Sequence, residues 1–126
     1  MSDAVEETVA AYGAAWNEQD EAARRVLLER SWADDGVYCD PTGRAEGRAA
    51  LVGHIGGFHV RMPGSRIELT SGVDEHDGLL RFAWQMVGPD GAVALDGIDF
   101  GELGADGRLE RIVGFFGPFP AVRQER

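Results

Sequence analysis

The chain contains no lysine; all twelve of its basic residues are arginine. Schiff-base catalysis on a lysine and the lysine of a phosphate-binding loop are therefore excluded. Cys39 is the single cysteine, which rules out a disulfide within one chain and a thiolate metal cluster, and it reads as a small buried hydrophobe. The four serines, Ser2, Ser31, Ser65 and Ser71, lie outside any G-x-S-x-G turn, so a serine hydrolase is not expected. Histidine is scarce as well: His54 and His59 are five residues apart, a spacing that suits no helical metal pair, and His76 sits in the acidic tract Asp74–Asp77. All three are expected at solvent or rim positions, and no metal or cofactor is expected. No run approaches the roughly 20 apolar residues of a membrane span, and the first residues lack the basic-then-apolar pattern of a secretory signal, so a cytoplasmic protein is expected. Positive charge is the minority, with a formal net charge of -10 and a pI near 4.6. That balance repels phosphate backbones and anionic headgroups, so neither nucleic acid nor a membrane surface is expected as a partner.

What is present fits one domain over residues 1–126, with a loose tail from about 120 to 126. Asp3 and Glu6 form a helix-capping pair ahead of Val5, Val9, Tyr12 and Trp16, whose spacing of four, three and four places Tyr12 on the inner face of an amphipathic helix. Asn17–Asp20 breaks that helix, and a second runs through Ala22, Ala23, Val26 and Leu27 to about Arg30. Trp32–Gly36 reads as a turn into a short strand that Pro41 ends, with Tyr38 and Asp40 on one face. Leu51, Ile55 and Phe58 mark a third helix, expected to be short because Gly53, Gly56 and Gly57 weaken it. Beyond Pro63-Gly64 the pattern alternates: Ile67 and Leu69, then Leu80, Phe82, Trp84 and Met86, then Ala92–Leu103, then Leu109–Phe115. Asp74–Asp77 between two of these segments reads as a solvated turn. Three helices followed by strands define an α+β domain.

Three separated residues carry the chemistry. Tyr12 precedes an apolar stretch and Asn17; Asp40-Pro41 follows the tract Ala33-Asp34-Asp35; and Ile98-Asp99 precedes the turn at Asp106-Gly107 and a strand ending in Phe116-Gly117. In this order and setting the chain resembles ketosteroid isomerase and its relatives, the nuclear transport factor 2-like fold that also includes SnoaL-like polyketide cyclases. The resemblance runs from about Val9 to Gly117 and implies a cone-shaped barrel of three N-terminal helices on a strongly curved, mixed but mostly antiparallel sheet. The chain departs from the isomerase pattern between Pro41 and Gly47, where it is shorter, and around Gly53–Gly57, so the resemblance speaks to chemistry more than to substrate.

The resemblance implies that Asp40 is the base that moves a proton next to a carbonyl, with Tyr12 and a protonated Asp99 as donors to the oxyanion. The sequence adds local support. Asp99 shares strand parity with Val93, Leu95, Gly97, Gly101 and Leu103, an apolar or side-chain-free face that would raise its pKa, and Gly97 and Gly101 are expected to leave room for a ligand. Phe82, Trp84, Met86 and Phe116 are expected as apolar walls, although such residues more often form plain core. Other readings stay open at this point: Tyr12 as a core tyrosine, Asp40 as a turn residue capping nearby amides, and Asp96 instead of Asp99 facing the pocket if the strand register differs by one. Arg81 alternates with Leu80 and Phe82 and should face the other side of the sheet. The expected ligand is a small, largely apolar carbonyl compound, and the resemblance implies a homodimer. A non-catalytic ligand-binding or interaction module of the same fold is the alternative.

Overall fold

A computed structural model describes residues 2–124. Helix α1 spans Ser2–Asn17 and α2 spans Glu21–Ser31; strands β1 (Trp32–Asp40) and β2 (Gly43–Glu46) form a hairpin; and α3 covers Arg48–Arg61. Strands β3 (Arg66–Leu69), β4 (Asp74–His76), β5 (Leu79–Val87), β6 (Val93–Leu103) and β7 (Leu109–Phe116) follow. The seven strands form one sheet in the order β2-β1-β7-β6-β5-β3, with β4 also pairing with β5. Among the described residues only β1 and β7 pair in parallel, because the chain leaves β1 through β2, α3 and the later strands before returning beside it. Three helices thus pack on a mixed seven-stranded sheet, an α+β fold.

Several boundaries differ from the sequence reading. Helix α1 begins at Ser2, so Asp3 lies in its first turn, not at a cap; the capping carboxylate is instead Asp20, whose Oδ2 accepts from the Ala23 amide at 2.9 Å to start α2. Trp32–Gly36 is strand, not turn: β1 begins at Trp32 and shifts register against β7 between Trp32 and Val37. Gly36 permits that bulge to pack, since a Cβ there would lie 2.6 Å from the Trp32 indole nitrogen. Helix α3 reaches fourteen residues despite its glycines, because Leu51, Val52, Ile55 and Phe58 are buried along one face. Asp74–His76, expected as turn, is a short exposed edge strand ended by Asp77 and Gly78, which both adopt positive φ. Residues 120–124 carry no helix or strand and are exposed, and the last two residues of the expected loose tail lie outside the described residues.

The core sits between the helices and the concave face of the sheet, around Val9, Ala15, Leu28, Trp32, Leu51, Ile55, Leu109 and Ile112, none of which is exposed. One charge is buried there without a carboxylate: the Arg24 guanidinium donates to the carbonyls of Glu18 (2.9 Å), Gln19 (3.1 Å) and Val52 (3.1 Å). It thereby satisfies the chain between α1 and α2 and ties it to α3. Cys39 is only partly buried. No helix among the described residues is long and apolar enough to cross a membrane.

Candidate functional site

Strand register brings the two aspartates together. Cys39 of β1 faces Val113 of β7, and Asp99 of β6 faces Gly114 of β7 and Phe82 of β5. Asp40 and Asp99 therefore flank Gly114 on the concave face, one strand to either side. Glycine is required between them: a Cβ at Gly114 would lie 2.9 Å from Asp99 Oδ1 and 3.4 Å from Asp40 Cβ. The next row of the same face carries Phe116, Gly97 and Trp84, and the row beyond it Leu95 and Met86. Above these rows, between sheet and helices, opens a cavity of about 580 Å³. Tyr12, Asp40, Asp99, Phe82, Trp84, Met86 and Phe116 all line it.

The alternation of β6 decides between its two acids. Gly97, Asp99 and Gly101 face inward and are buried, whereas Asp96 is exposed on the outer face. Asp99 is 7% exposed and accepts one hydrogen bond, from the Trp84 indole N–H to Oδ1 at 3.0 Å. Burial pushes its carboxyl up to about 7; the Trp84 bond pulls against this and the Asp40 charge adds to it. The neighbouring glycines serve packing and not ligand access, contrary to expectation. A Cβ at Gly97 would collide with the Trp84 ring and the Phe115 carbonyl, and one at Gly101 would lie 2.9 Å from Ile112 Cδ1 and 3.0 Å from Leu80 Cδ1. Gly97 thus lets Trp84 settle where its N–H reaches Asp99.

Asp40 has the opposite environment. Its Oδ2 accepts from the Tyr38 hydroxyl at 2.5 Å, and its Oδ1 accepts from both the amide and the hydroxyl of Thr42 at 2.7 Å. The side chain therefore also makes the turn at Pro41-Thr42 while facing the cavity. Partial burial raises its carboxyl, but the bonds from Tyr38 and Thr42, with His54 nearby, outweigh that and hold it below the ordinary carboxylate range. At pH 7 the site thus pairs an ionised Asp40 with an Asp99 that is about half protonated, and more so below that pH, two carboxyls driven apart by their surroundings.

Tyr12 is 2% exposed, stacks on Trp32 at 5.5 Å and meets Phe82 edge-on at 6.5 Å. Its hydroxyl has no hydrogen-bond partner among the described residues. Burial and then the Asp99 charge raise the phenol well above its usual pKa, with Trp16 acting against them and Asp40 adding, so it remains a donor at any ordinary pH. A buried hydroxyl without a partner, lining the same cavity as Asp99, is equipped to donate to a ligand.

The walls are aromatic. Phe116 meets Trp84 edge-on at 5.7 Å, and Trp16 contacts Tyr38 at 5.5 Å, His54 at 5.9 Å and Phe58 at 5.7 Å. Tyr38 and His54 are site residues that the sequence reading did not assign. Tyr38 had a signal in its shared strand face with Asp40, whereas His54, expected at solvent or the rim, is half-buried in the cavity wall. His59 is occupied structurally, its Nε2 lying 2.8 Å from the Trp16 carbonyl at the end of α1. His76 is exposed. Arg81 lies on the outer face and pairs with Asp74 of β4 at 2.9 Å, away from the cavity.

Comparison with known proteins agrees with this architecture. Residues 9–112 match the SnoaL-like domain family. A candidate isomerase of the SnoaL-like family from Agrobacterium tumefaciens is 34% identical, with 88% of this chain and 95% of that chain covered at a TM-score of 0.84. A cystatin-like-fold protein from Methylobium petroleophilum superposes with a TM-score of 0.78 at 20% identity, over 100% of this chain and 84% of that one. A candidate polyketide cyclase from Sinorhizobium meliloti superposes with a TM-score of 0.70 at 17% identity, over 90% and 98%. No curated protein sequence matches the chain significantly. With the family match spanning most of the chain and a relative at 34% identity over nearly the whole fold, the protein belongs to the SnoaL-like family.

Proposed function

We propose that the protein is a cofactor-free acid–base enzyme that enolises a small apolar carbonyl compound. The observation that carries this reading is the pair of carboxyls, Asp40 and Asp99, facing one apolar cavity across Gly114 with opposite protonation tendencies. Asp40, ionised, takes a proton from the carbon beside the carbonyl; the C–H electron pair becomes the enolate π bond and charge moves to oxygen. Asp99, protonated, and Tyr12 donate to that oxygen from buried positions, where such bonds count more than in water. Return of the proton from Asp40 to a more distant carbon completes an isomerisation, whereas attack of the enolate carbon on a second carbonyl of the same substrate forms a C–C bond and an alkoxide, and passage of the Asp40 proton to that alkoxide completes a SnoaL-type ring closure. Phe82, Trp84, Met86 and Phe116 bind the apolar body of the ligand.

The same reading includes a homodimer. The outer face of β6 and β7 carries Phe100 (41% exposed) and Phe115 (58% exposed), in edge-to-face contact at 5.9 Å, an apolar surface suited to a second copy of the chain.

The test is spectrophotometric conversion of a β,γ-unsaturated 3-ketosteroid to its conjugated isomer, comparing wild type with Asp40→Asn. Wild-type turnover that falls by about 10³-fold in the variant, with binding of the conjugated product retained, is the expected result. A folded wild type that binds the steroid without turnover supports the non-catalytic binding module instead.

A further inference from the structure

The reaction proposed above leaves His54 without a task, although its ring packs against the hairpin that carries the base. Gly43 is the residue opposite Asp40 in the β1–β2 hairpin, and the His54 Cε1 lies only 3.3 Å from where a Cβ of Gly43 would be. A larger residue at position 43 would push the ring away, so the hairpin is shaped to admit it. Aromatic rings fix it from two further sides, Tyr38 at 5.2 Å and Trp16 edge-on at 5.9 Å. Unlike His59, whose Nε2 is engaged by a backbone carbonyl, neither nitrogen of His54 has a hydrogen-bond partner among the described residues.

We propose that His54 carries protons between Asp40 and the solvent at the cavity mouth, so that the site exchanges the migrating proton with water in place of carrying it wholly on one carboxyl. The inference rests on Asp40 acting as the base. After Asp40 has taken the substrate proton, a water bridging the two side chains, which make no direct hydrogen bond among the described residues, passes it to a His54 nitrogen lone pair, restoring the carboxylate and forming an imidazolium. The imidazolium releases the proton to water, and the same path in reverse brings a solvent proton to Asp40 and on to the substrate carbon. Proton count and electron pairs balance with no other reactant.

The charges that face the ring suit this role. Burial makes the imidazole harder to protonate, Asp40 on β1 opposes that, and Arg61, two turns further along α3, reinforces it, leaving His54 below its ordinary pKa. Tyr38 faces the ring with a phenol that stays protonated, and Arg44 on β2 is engaged by Glu46 at 2.7 Å. His54 is therefore neutral and able to accept at pH 7. Arg61 also lines the cavity and is exposed, which places the outward end of the path at solvent.

Two measurements test the proposal. Proton NMR titration of the His54 ring in wild type and in Asp40→Asn needs no turnover: loss of the Asp40 charge should lower the His54 pKa further, and an unchanged His54 titration overturns the pairing. The second is the ketosteroid conversion run in D2O, with deuterium in the product read by mass spectrometry. Wild-type product should be substantially deuterated, and product from His54→Gln should retain at least about fivefold more of the original hydrogen. Equal deuterium content in the two products overturns the relay. Absence of wild-type turnover rejects Asp40 as the base for this substrate and the relay with it, a result the titration separates from a failure of the pairing itself.

Discussion

Replacing Asp99 with asparagine should change how stability depends on pH more than it changes stability itself. The asparagine carbonyl can keep the bond from the Trp84 N–H, and the side-chain volume is nearly conserved, so the substitution removes little except the ability to ionise. In wild type the Asp99 carboxyl titrates near 3.8 when unfolded and at about 7 when folded. Between those values the folded state binds more protons than the unfolded one, so stability falls as pH rises through this window and levels off above it. A shift of about three units at about 1.4 kcal/mol per unit makes the loss about 4 kcal/mol. The difference in unfolding free energy between Asp99→Asn and wild type should therefore move by that amount in favour of the variant from pH 4 to pH 8, with most of the change between pH 5 and 7. Urea denaturation of both proteins at half-unit pH steps measures it, and the subtraction removes the titration of the other carboxylates. Parallel stability curves would show that Asp99 ionises in the folded protein as it does in water, and would remove the basis for its role as a neutral donor.

Gly114→Ala should place a methyl against both carboxyls, 2.9 Å from Asp99 Oδ1, costing about 1–3 kcal/mol in urea unfolding and weakening binding of the conjugated ketosteroid by at least tenfold in a fluorescence titration of the site tryptophans. Arg24→Met keeps the aliphatic stem but leaves three backbone carbonyls without their donor, so the urea midpoint should fall by an amount equivalent to about 2–4 kcal/mol. Phe115→Asp puts a charge on the apolar outer face, and light scattering should report a dimer for wild type and a monomer for the variant, with far-ultraviolet circular dichroism unchanged; a monomeric wild type would refute the proposed pairing.

How much of this was legible in the sequence varies with how local its cause is. Periodicity located α1, α2 and the strands β5, β6 and β7 because each buries one face, and the alternation of β6 put Asp99 on the face of Gly97 and Gly101 and Asp96 on the opposite one, but left open which of the two faces the cavity. The length of α3 was not legible, since glycine content argues against a helix that packing through Leu51, Ile55 and Phe58 sustains. Nor was the bulge at Trp32–Val37, which depends on an indole from one end of the strand filling the space above Gly36.

The candidate site divides along the same line. The sequence by itself determined which residues could do acid–base work: a phenol, two carboxyls and no lysine, on elements whose order matches the family. Tertiary structure alone decided their states. Asp40 and Asp99 are chemically identical, and only the donors around the first and the apolar walls around the second drive their protonation apart. The parallel pairing of β1 with β7 and the antiparallel pairing of β7 with β6 bring the two acids over one glycine from positions 59 residues apart, and the β1–β2 hairpin turns Gly43 beneath His54. Contacts of that range depend on register across several strands, which no local pattern encodes.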